Sequence, residues 1–129
     1  MKDYVIDEKT NQIIHDALEN HKGKGFSMPS QFCVMCATEI DKHIPIVEFG
    51  CGNGRDSIFF ARHDFRVLSM DLSEVAINQN IQKVKSHNLD NVDFFQGSVS
   101  NLLLIKDLIN KARKYSVSGN LAVYSRFFL

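Results

Sequence analysis

The sequence predicts an α/β chain built on a doubly wound parallel sheet of about four strands, with two helices preceding it. Three observations carry this. Short apolar or aromatic runs recur at 46–49, 66–70, 92–95 and 121–124. Segments of helical periodicity separate them, at 55–63, 73–87 and 102–115. Strands alternating with helices of this length favour parallel pairing through right-handed crossovers.

The elements follow in order. Ile13, Ile14, Ala17 and Leu18 fall at helical spacing within 10–21. Gly23 and Gly25 interrupt that helix in "HKGKGFSMP". Ser30 is placed to cap a second helix that carries Phe32, Val34, Met35, Ala37 and Ile40. Pro45 closes this region, so 1–44 reads as N-terminal helices and 45–129 as the β/α core. The first strand runs into "FGCGNGRDS", which holds three of the chain's 7 glycines. Glycine is kept where φ is positive or where backbone must come close to something. A glycine turn between strand and helix leaves main-chain N–H groups open to a ligand. Ser73-Glu74 opens the next long helix, and Gly119-Asn120 supplies the turn before the last strand. Phe59, Phe60, Phe94 and Phe95 are expected in the core.

Bulk composition excludes several function classes. With 129 residues there is one domain at most, and 44% hydrophobic content gives it a core. Fifteen basic and fifteen acidic side chains cancel, so no net field recruits nucleic acid or an anionic membrane. No apolar run approaches the ~20 residues of a membrane span. "MKDYVIDEKTNQ" lacks the apolar stretch of a secretory signal, and three cysteines fit reduced thiols, so a cytoplasmic location is expected. Cys33-x-x-Cys36 has helical spacing among apolar neighbours and no second pair, which reads as core packing rather than metal. Cys51 fills a slot that needs only a small residue. The five histidines make no H-x-x-x-H pair, so no metal site is expected. The basic face of "KDLINKARK" reads as solvated.

Gly50, Gly52 and Gly54 end the first strand as G-x-G-x-G, with Glu48 just before them. Ligands of open α/β sheets bind beyond the carboxyl ends of strands, where strand order reverses. The dinucleotide fingerprint is G-x-G-x-x-G. Here the third glycine comes one position early and Arg55 takes the fingerprint's last slot, which disfavours a nicotinamide-dinucleotide dehydrogenase. The second strand ends in Asp71, twenty-one positions after Gly50. That distance suits a carboxylate accepting both hydroxyls of a ribose. Arg55 and Asp56 open the following helix, as a cap and surface ion pair or as part of a cofactor pocket.

"VEFGCGNGRDS", "VLSMDLSEVAI" and "VDFFQGSVSNL", in this order at the ends of three successive strands, resemble the class I S-adenosylmethionine-dependent methyltransferases. The resemblance implies a Rossmann-like fold, S-adenosylmethionine as cofactor and methyl transfer as the activity. It implies that backbone at Gly50, Cys51 and Gly52 passes under the methionine part, with Asn53 and Gly54 completing the loop. Glu48 would anchor that loop and favour the ammonium or sulfonium side. Asp71 would take the ribose, Leu72 the adenine face, and Gly97, Ser98 and Val99 the adenine edge. Many relatives carry an aspartate where Ser98 stands, and a hydroxyl accepts more weakly than a carboxylate. Tyr124, Ser125 and Arg126 fall where such families place acceptor-side residues, and Arg126 suits an anionic substrate. Tyr124 and Arg126 are the candidates for catalysis.

"PSQFCVMC", "GCGNGRDS" and "YSRFFL" are similar to a bacterial subgroup associated with surface-glycan synthesis. This implies a glycan or small-molecule hydroxyl as acceptor. In that subgroup the aromatic segment runs on into a histidine and a helix, so the chain is expected to be the N-terminal, cofactor-binding part of a longer domain. Its last strand, with Phe127, Phe128 and Leu129, is then expected to self-associate. A non-catalytic adenosyl-cofactor or nucleotide-binding module is the alternative reading.

Overall fold

A computed structural model of the chain describes residues 7–16, 23 and 25–126. The elements are α1 (Glu8–His15), α2 (Gln31–Glu39), β1 (Ile46–Phe49), α3 (Arg55–Arg62), β2 (Val67–Asp71), α4 (Glu74–Ser86), β3 (Val92–Gln96), α5 (Leu102–Arg113) and β4 (Ala122–Ser125). The four strands form one sheet in the order β3-β2-β1-β4, with every pairing parallel. All four expected strands and the three helices between them are present, within one or two residues at their ends.

β1 lies between β2 and β4, and its apolar run is buried on both faces, as a central parallel strand requires. Successive side chains point to opposite faces of a strand. Ile46 and Val67 therefore join one cluster with Ile58, Phe59, Phe60 and Ile77, under α3 and α4. Val47 and Leu68 join the other, with Met70, Leu108 and Ala112, under α5. Helices thus cover both faces, and the sheet is doubly wound. Phe59, Phe60 and Phe94 are buried as expected, while Phe95 is half-buried beneath Lys111, whose Nζ stands 5.0 Å from the ring centre.

Hydroxyl caps begin two helices where the sequence placed them. Ser30 accepts from the Cys33 amide and Ser73 from the Ala76 amide. The first helix differs from the expected 10–21 run. It starts earlier, because Asp7 caps it through the Thr10 amide at 2.7 Å, and Ile13 is its buried contact. Ala17, Leu18 and His21 lie outside the described residues. Asp16, just past this helix, takes both guanidinium nitrogens of Arg62 at 2.9 Å and His63 Nε2 at 2.9 Å, which ties α1 to the end of α3. Cys33 is fully buried and its thiol meets the Asp56 carbonyl at 3.6 Å. The position is a core one. β4 is an edge strand with Val123 60% exposed, and Phe127, Phe128 and Leu129 lie outside the described residues. No helix of the described residues is long and apolar enough to cross a membrane.

Candidate functional site

Strand order reverses between β2-β1 and β1-β4, so the crevice for a ligand lies at the carboxyl ends of β1 and β4. The glycine turn sits there. Gly50 and Cys51 donate their amides to the Met70 carbonyl at 2.8 and 3.2 Å, curling the turn over the end of β2. The Gly52 amide donates to Asp71 Oδ2 at 2.9 Å, and the Ser73 amide to Oδ1 at 2.9 Å. Gly52 has φ 53 with open space on its Cβ side, so glycine serves conformation here. Gly54 has φ 75 and is also packed: a Cβ would lie 2.9 Å from Asn80 Cγ. Asn80, buried on α4, donates to the Gly52 carbonyl at 2.8 Å and pins the turn from below.

Gly54→Ala is therefore expected to destabilise the chain by about 1–2 kcal/mol from left-handed strain alone, with the Asn80 contact adding to it. Gly119→Ala, at φ 84 in open space, carries the strain without the contact and is the comparison. Urea unfolding checks this, and equal midpoints for the two variants would contradict the packing argument.

Behind the turn, Glu48 is only 3% exposed. Ser57 donates to its carboxyl, and the Ser57 and Ser69 hydroxyls share a hydrogen bond at 2.6 Å. Burial outweighs these hydrogen bonds and, with the like charge of Asp56, pushes Glu48 up to about 7; Arg126 pulls the other way. Cys51 is buried beside it, and burial pushes its thiol up, with the charges of Glu48 and Asp71 adding. That is an inert thiol rather than a nucleophile.

Asp56 is 4% exposed and lines the cavity below the turn, so of the two readings of Arg55-Asp56 its burial fits a pocket place rather than a surface ion pair. Ser30 donates to it twice, from its amide to Oδ1 and its hydroxyl to Oδ2, each at 2.8 Å. The Tyr124 hydroxyl donates to Oδ2 at 2.7 Å. Arg126 Nη1 stands 3.7 Å from Oδ2 and Arg55 Nε 3.9 Å from Oδ1. One carboxylate thus gathers the cap of α2, the start of α3 and the end of β4. Tyr124 is buried in this cluster, where burial raises its phenol far above the ordinary range. Glu48, Gly50–Asn53, Arg55, Asp56 and Arg126 line a cavity of about 200 Å³. A larger cleft, about 640 Å³, opens at the opposite ends of β2 and β3 beside Phe26, His87 and Asn91. Position decides against it, since open α/β sheets bind ligands at strand carboxyl ends.

Beyond the cavity the strand ends form a continuous ledge. The Gly97 amide donates to the Asp71 carbonyl at 3.0 Å, and Gln96 Nε2 to the Leu72 carbonyl at 3.2 Å. Leu72 is 68% exposed on this ledge. Gly97 has a packing reason besides its place there, because a Cβ would stand 2.1 Å from Leu104 Cδ2. The Ser98 hydroxyl pairs with that of Ser100 at 2.7 Å, and Val99 packs on the second core cluster. Asn53 caps locally, its Oδ1 accepting from the Arg55 amide at 3.1 Å. The structure therefore brings Glu48, Gly50, Cys51, Gly52, Asn53 and Arg126 around one cavity, sets Asp71 on the turn's backbone, and leads on to Leu72 and Gly97. Tyr124 it places behind that cavity, on Asp56. Asn80, Ser57 and Ser69 had no signal in the sequence, their partners lying 9 to 28 positions away, and Ser30 showed only as the cap of α2, not through its bonds to Asp56 26 positions away.

Residues 46–113, just over half of the chain, match the family described as "Methyltransferase domain". Among solved structures, the (4+2) cyclase SpnF aligns at TM-score 0.53 with 15% identity, over 73% of this chain and 42% of that one. A structure from work on disulfide-to-thioacetal conversion in echinomycin biosynthesis aligns at TM-score 0.50 with 25% identity, over 54% and 28%. The YcgJ protein of Bacillus subtilis aligns at TM-score 0.50 with 17% identity, over 54% and 31%. The chain spans less than half the length of each of these structures.

Proposed function

Because the chain belongs to the methyltransferase domain family, we propose that its glycine turn holds S-adenosylmethionine and that the protein passes the methyl group to a hydroxyl on a glycan or small molecule. The observation that carries this reading is Asp71, set at the end of β2 and bonded to the amide of Gly52. Each of its carboxylate oxygens uses one lone pair on a backbone amide, which leaves acceptor capacity for two ribose hydroxyls. Leu72 offers an apolar face for adenine, and Gly97–Val99 continue the ledge along its edge. Ser98, already shared with Ser100, gives the adenine amino group a weaker acceptor than a carboxylate would. Glu48 stands in the cavity where the ammonium and sulfonium charges call for a counter-charge. At about 200 Å³ the cavity is smaller than the ~300 Å³ of a whole small-molecule site, so it suits one end of the cofactor.

Bound S-adenosylmethionine supplies a methyl group on a sulfonium, which is already an activated leaving group. The chain's own residues then have to orient and exclude water. Asn80 and Asp71 fix the turn through the Gly52 carbonyl and amide, Asp56 gathers α2, α3 and β4 behind it, and Arg126 closes the acceptor side. Tyr124 acts by positioning, since its hydroxyl is committed to Asp56 and its phenolate is disfavoured.

Titration calorimetry tests the reading. The chain is expected to bind S-adenosylhomocysteine and not NAD; heat with NAD and none with the adenosyl ligand would overturn it. A second reading, an adenosyl-binding module without catalysis, draws on Tyr124: a buried, acidity-suppressed hydroxyl is no base for an acceptor. The shared fold does not decide between them, since a cyclase carries it too. Transfer of labelled methyl to a hydroxylated acceptor separates the two. The open edge of β4, with Val123 exposed, is assigned as a surface for self-association. Light scattering is expected to show dimers or larger species, and a monodisperse monomer would contradict that assignment.

A further inference from the structure

We propose that the paired hydroxyls of Ser98 and Ser100 set the base specificity of the site, admitting a purine that carries either an amino or an oxo group at position 6. The inference rests on the reading above, in which Gly97–Val99 run along the edge of the base, and it names what that edge selects. Ser98 and Ser100 follow β3, at the same ends of the parallel strands as Asp71 and the glycine turn. The backbone that carries them is fixed on both sides. The Gly97 amide donates to the Asp71 carbonyl at 3.0 Å, and the Asn101 amide to the Ser98 carbonyl at 3.0 Å. Asn101 in turn caps α5, its side chain accepting from the Leu104 amide at 3.2 Å.

The hydroxyl protons, by contrast, can turn. Ser98 Oγ accepts from the Ser100 amide at 3.2 Å and stands 2.7 Å from Ser100 Oγ, where either oxygen can be the donor. A hydroxyl has one proton to give and two lone pairs to fill. When Ser98 donates to Ser100, one Ser98 lone pair remains and accepts from an amino group. When Ser100 donates to Ser98, both lone pairs are taken and the Ser98 proton goes outward to an oxo group. The pair meets either edge by reversing one hydrogen bond, and Ser98 is fully satisfied in both states. A carboxylate in that place only accepts, and so selects the amino group. From Phe94 to Ile105 the chain carries no charged side chain, so no carboxylate of this loop competes with the pair. Asp71, the carboxylate of the ledge, already holds the Gly52 and Ser73 amides.

Titration calorimetry on the full chain compares S-adenosylhomocysteine with S-inosylhomocysteine, its 6-oxo counterpart. The unaltered chain is expected to bind the two within about threefold, since one neutral hydrogen bond replaces another. Ser98→Asp is expected to prefer the adenosyl ligand by about tenfold or more, because a charged acceptor rewards the amino group and leaves the oxo group unmatched. Ser98→Asn has the size of that variant but offers both a carbonyl and an amide, and is expected to bring the ratio back within about threefold. A merely structural Ser98 would not separate the aspartate variant from the asparagine one. Should Ser98→Asp fail to fold, Ser98→Ala decides. Both ligands are expected to weaken alike, by about twofold or more, and no loss in either overturns the proposal. An adenosyl preference above about threefold in the unaltered chain, or a ratio that Ser98→Asp leaves unchanged, overturns it while cofactor binding stands. Absence of S-adenosylhomocysteine binding by the unaltered chain overturns instead the reading it rests on.

Discussion

Asp71→Ala is expected to weaken S-adenosylhomocysteine binding ten- to hundred-fold. Hydrogen bonds from a charged acceptor to ribose hydroxyls are worth about 1.5–3 kcal/mol, and each 1.4 kcal/mol is a factor of ten. The same change removes the acceptor of the Gly52 amide, so the turn loosens as the ribose contact is lost. Asp64→Ala is the natural comparison, since Asp64 is exposed and precedes β2. Its φ of 69, however, makes alanine there a strained choice. Asp107→Ala, exposed on α5, is the cleaner control and is expected to bind like the unaltered chain. Titration calorimetry reads all three. Equal affinities for Asp71→Ala and Asp107→Ala would remove Asp71 from the site.

The second large effect belongs to Glu48. Its carboxyl ordinarily titrates near 4.5 and burial pushes it up to about 7. A raised value in the folded chain means that the protonated form is held more tightly there than in the unfolded chain. Its stabilisation is fully present below about pH 4.5 and is lost as pH rises through about 7. Glu48→Gln removes that dependence. Above pH 7 the variant is expected to be more stable than the parent by about 3 kcal/mol, from the size of the shift at 1.36 kcal/mol per unit. Below pH 4.5 the two should converge. Binding should move the other way, because a cationic ligand end favours ionised Glu48. The parent is expected to bind S-adenosylmethionine more tightly as pH rises through 7 and to release a proton on doing so, and the variant to bind weakly at every pH. Urea unfolding at pH 4, 6 and 8, with calorimetry in two buffers of different ionisation enthalpy, checks both halves. A Glu48→Gln chain less stable than the parent at pH 8 would contradict the argument.

Local chemistry made most of the fold legible. The apolar run of β1, the hydroxyls of Ser30 and Ser73, and the glycines at 50, 52 and 54 each act on neighbours within four positions, so their patterns show in the sequence. Asp71 could be read because its distance from the glycine turn is set by one β/α unit. Asp56 could be read only as far as two alternatives, a surface ion pair with Arg55 or a part of a cofactor pocket, and it is buried because Ser30 and Tyr124, 26 and 68 positions away, converge on it. The same applies to Asn80, whose amide reaches the Gly52 carbonyl across 28 positions. Tyr124 was read as facing the acceptor, and the packing that instead aims its hydroxyl at Asp56 is tertiary. Side chains whose partners come from distant elements leave no periodic trace.

The most direct test of a cofactor turn at Gly50–Gly54 is an amide spectrum of the full chain labelled with ¹⁵N-glycine. Only 7 glycines contribute, which makes each resonance assignable by substitution. On addition of S-adenosylhomocysteine, the amides of Gly50, Gly52 and Gly54 are expected to shift, with Gly97 following on the ledge and Gly119, in its distant turn, unmoved. Shifts confined to Gly119, or glycine-turn shifts with NAD and none with S-adenosylhomocysteine, would contradict the account.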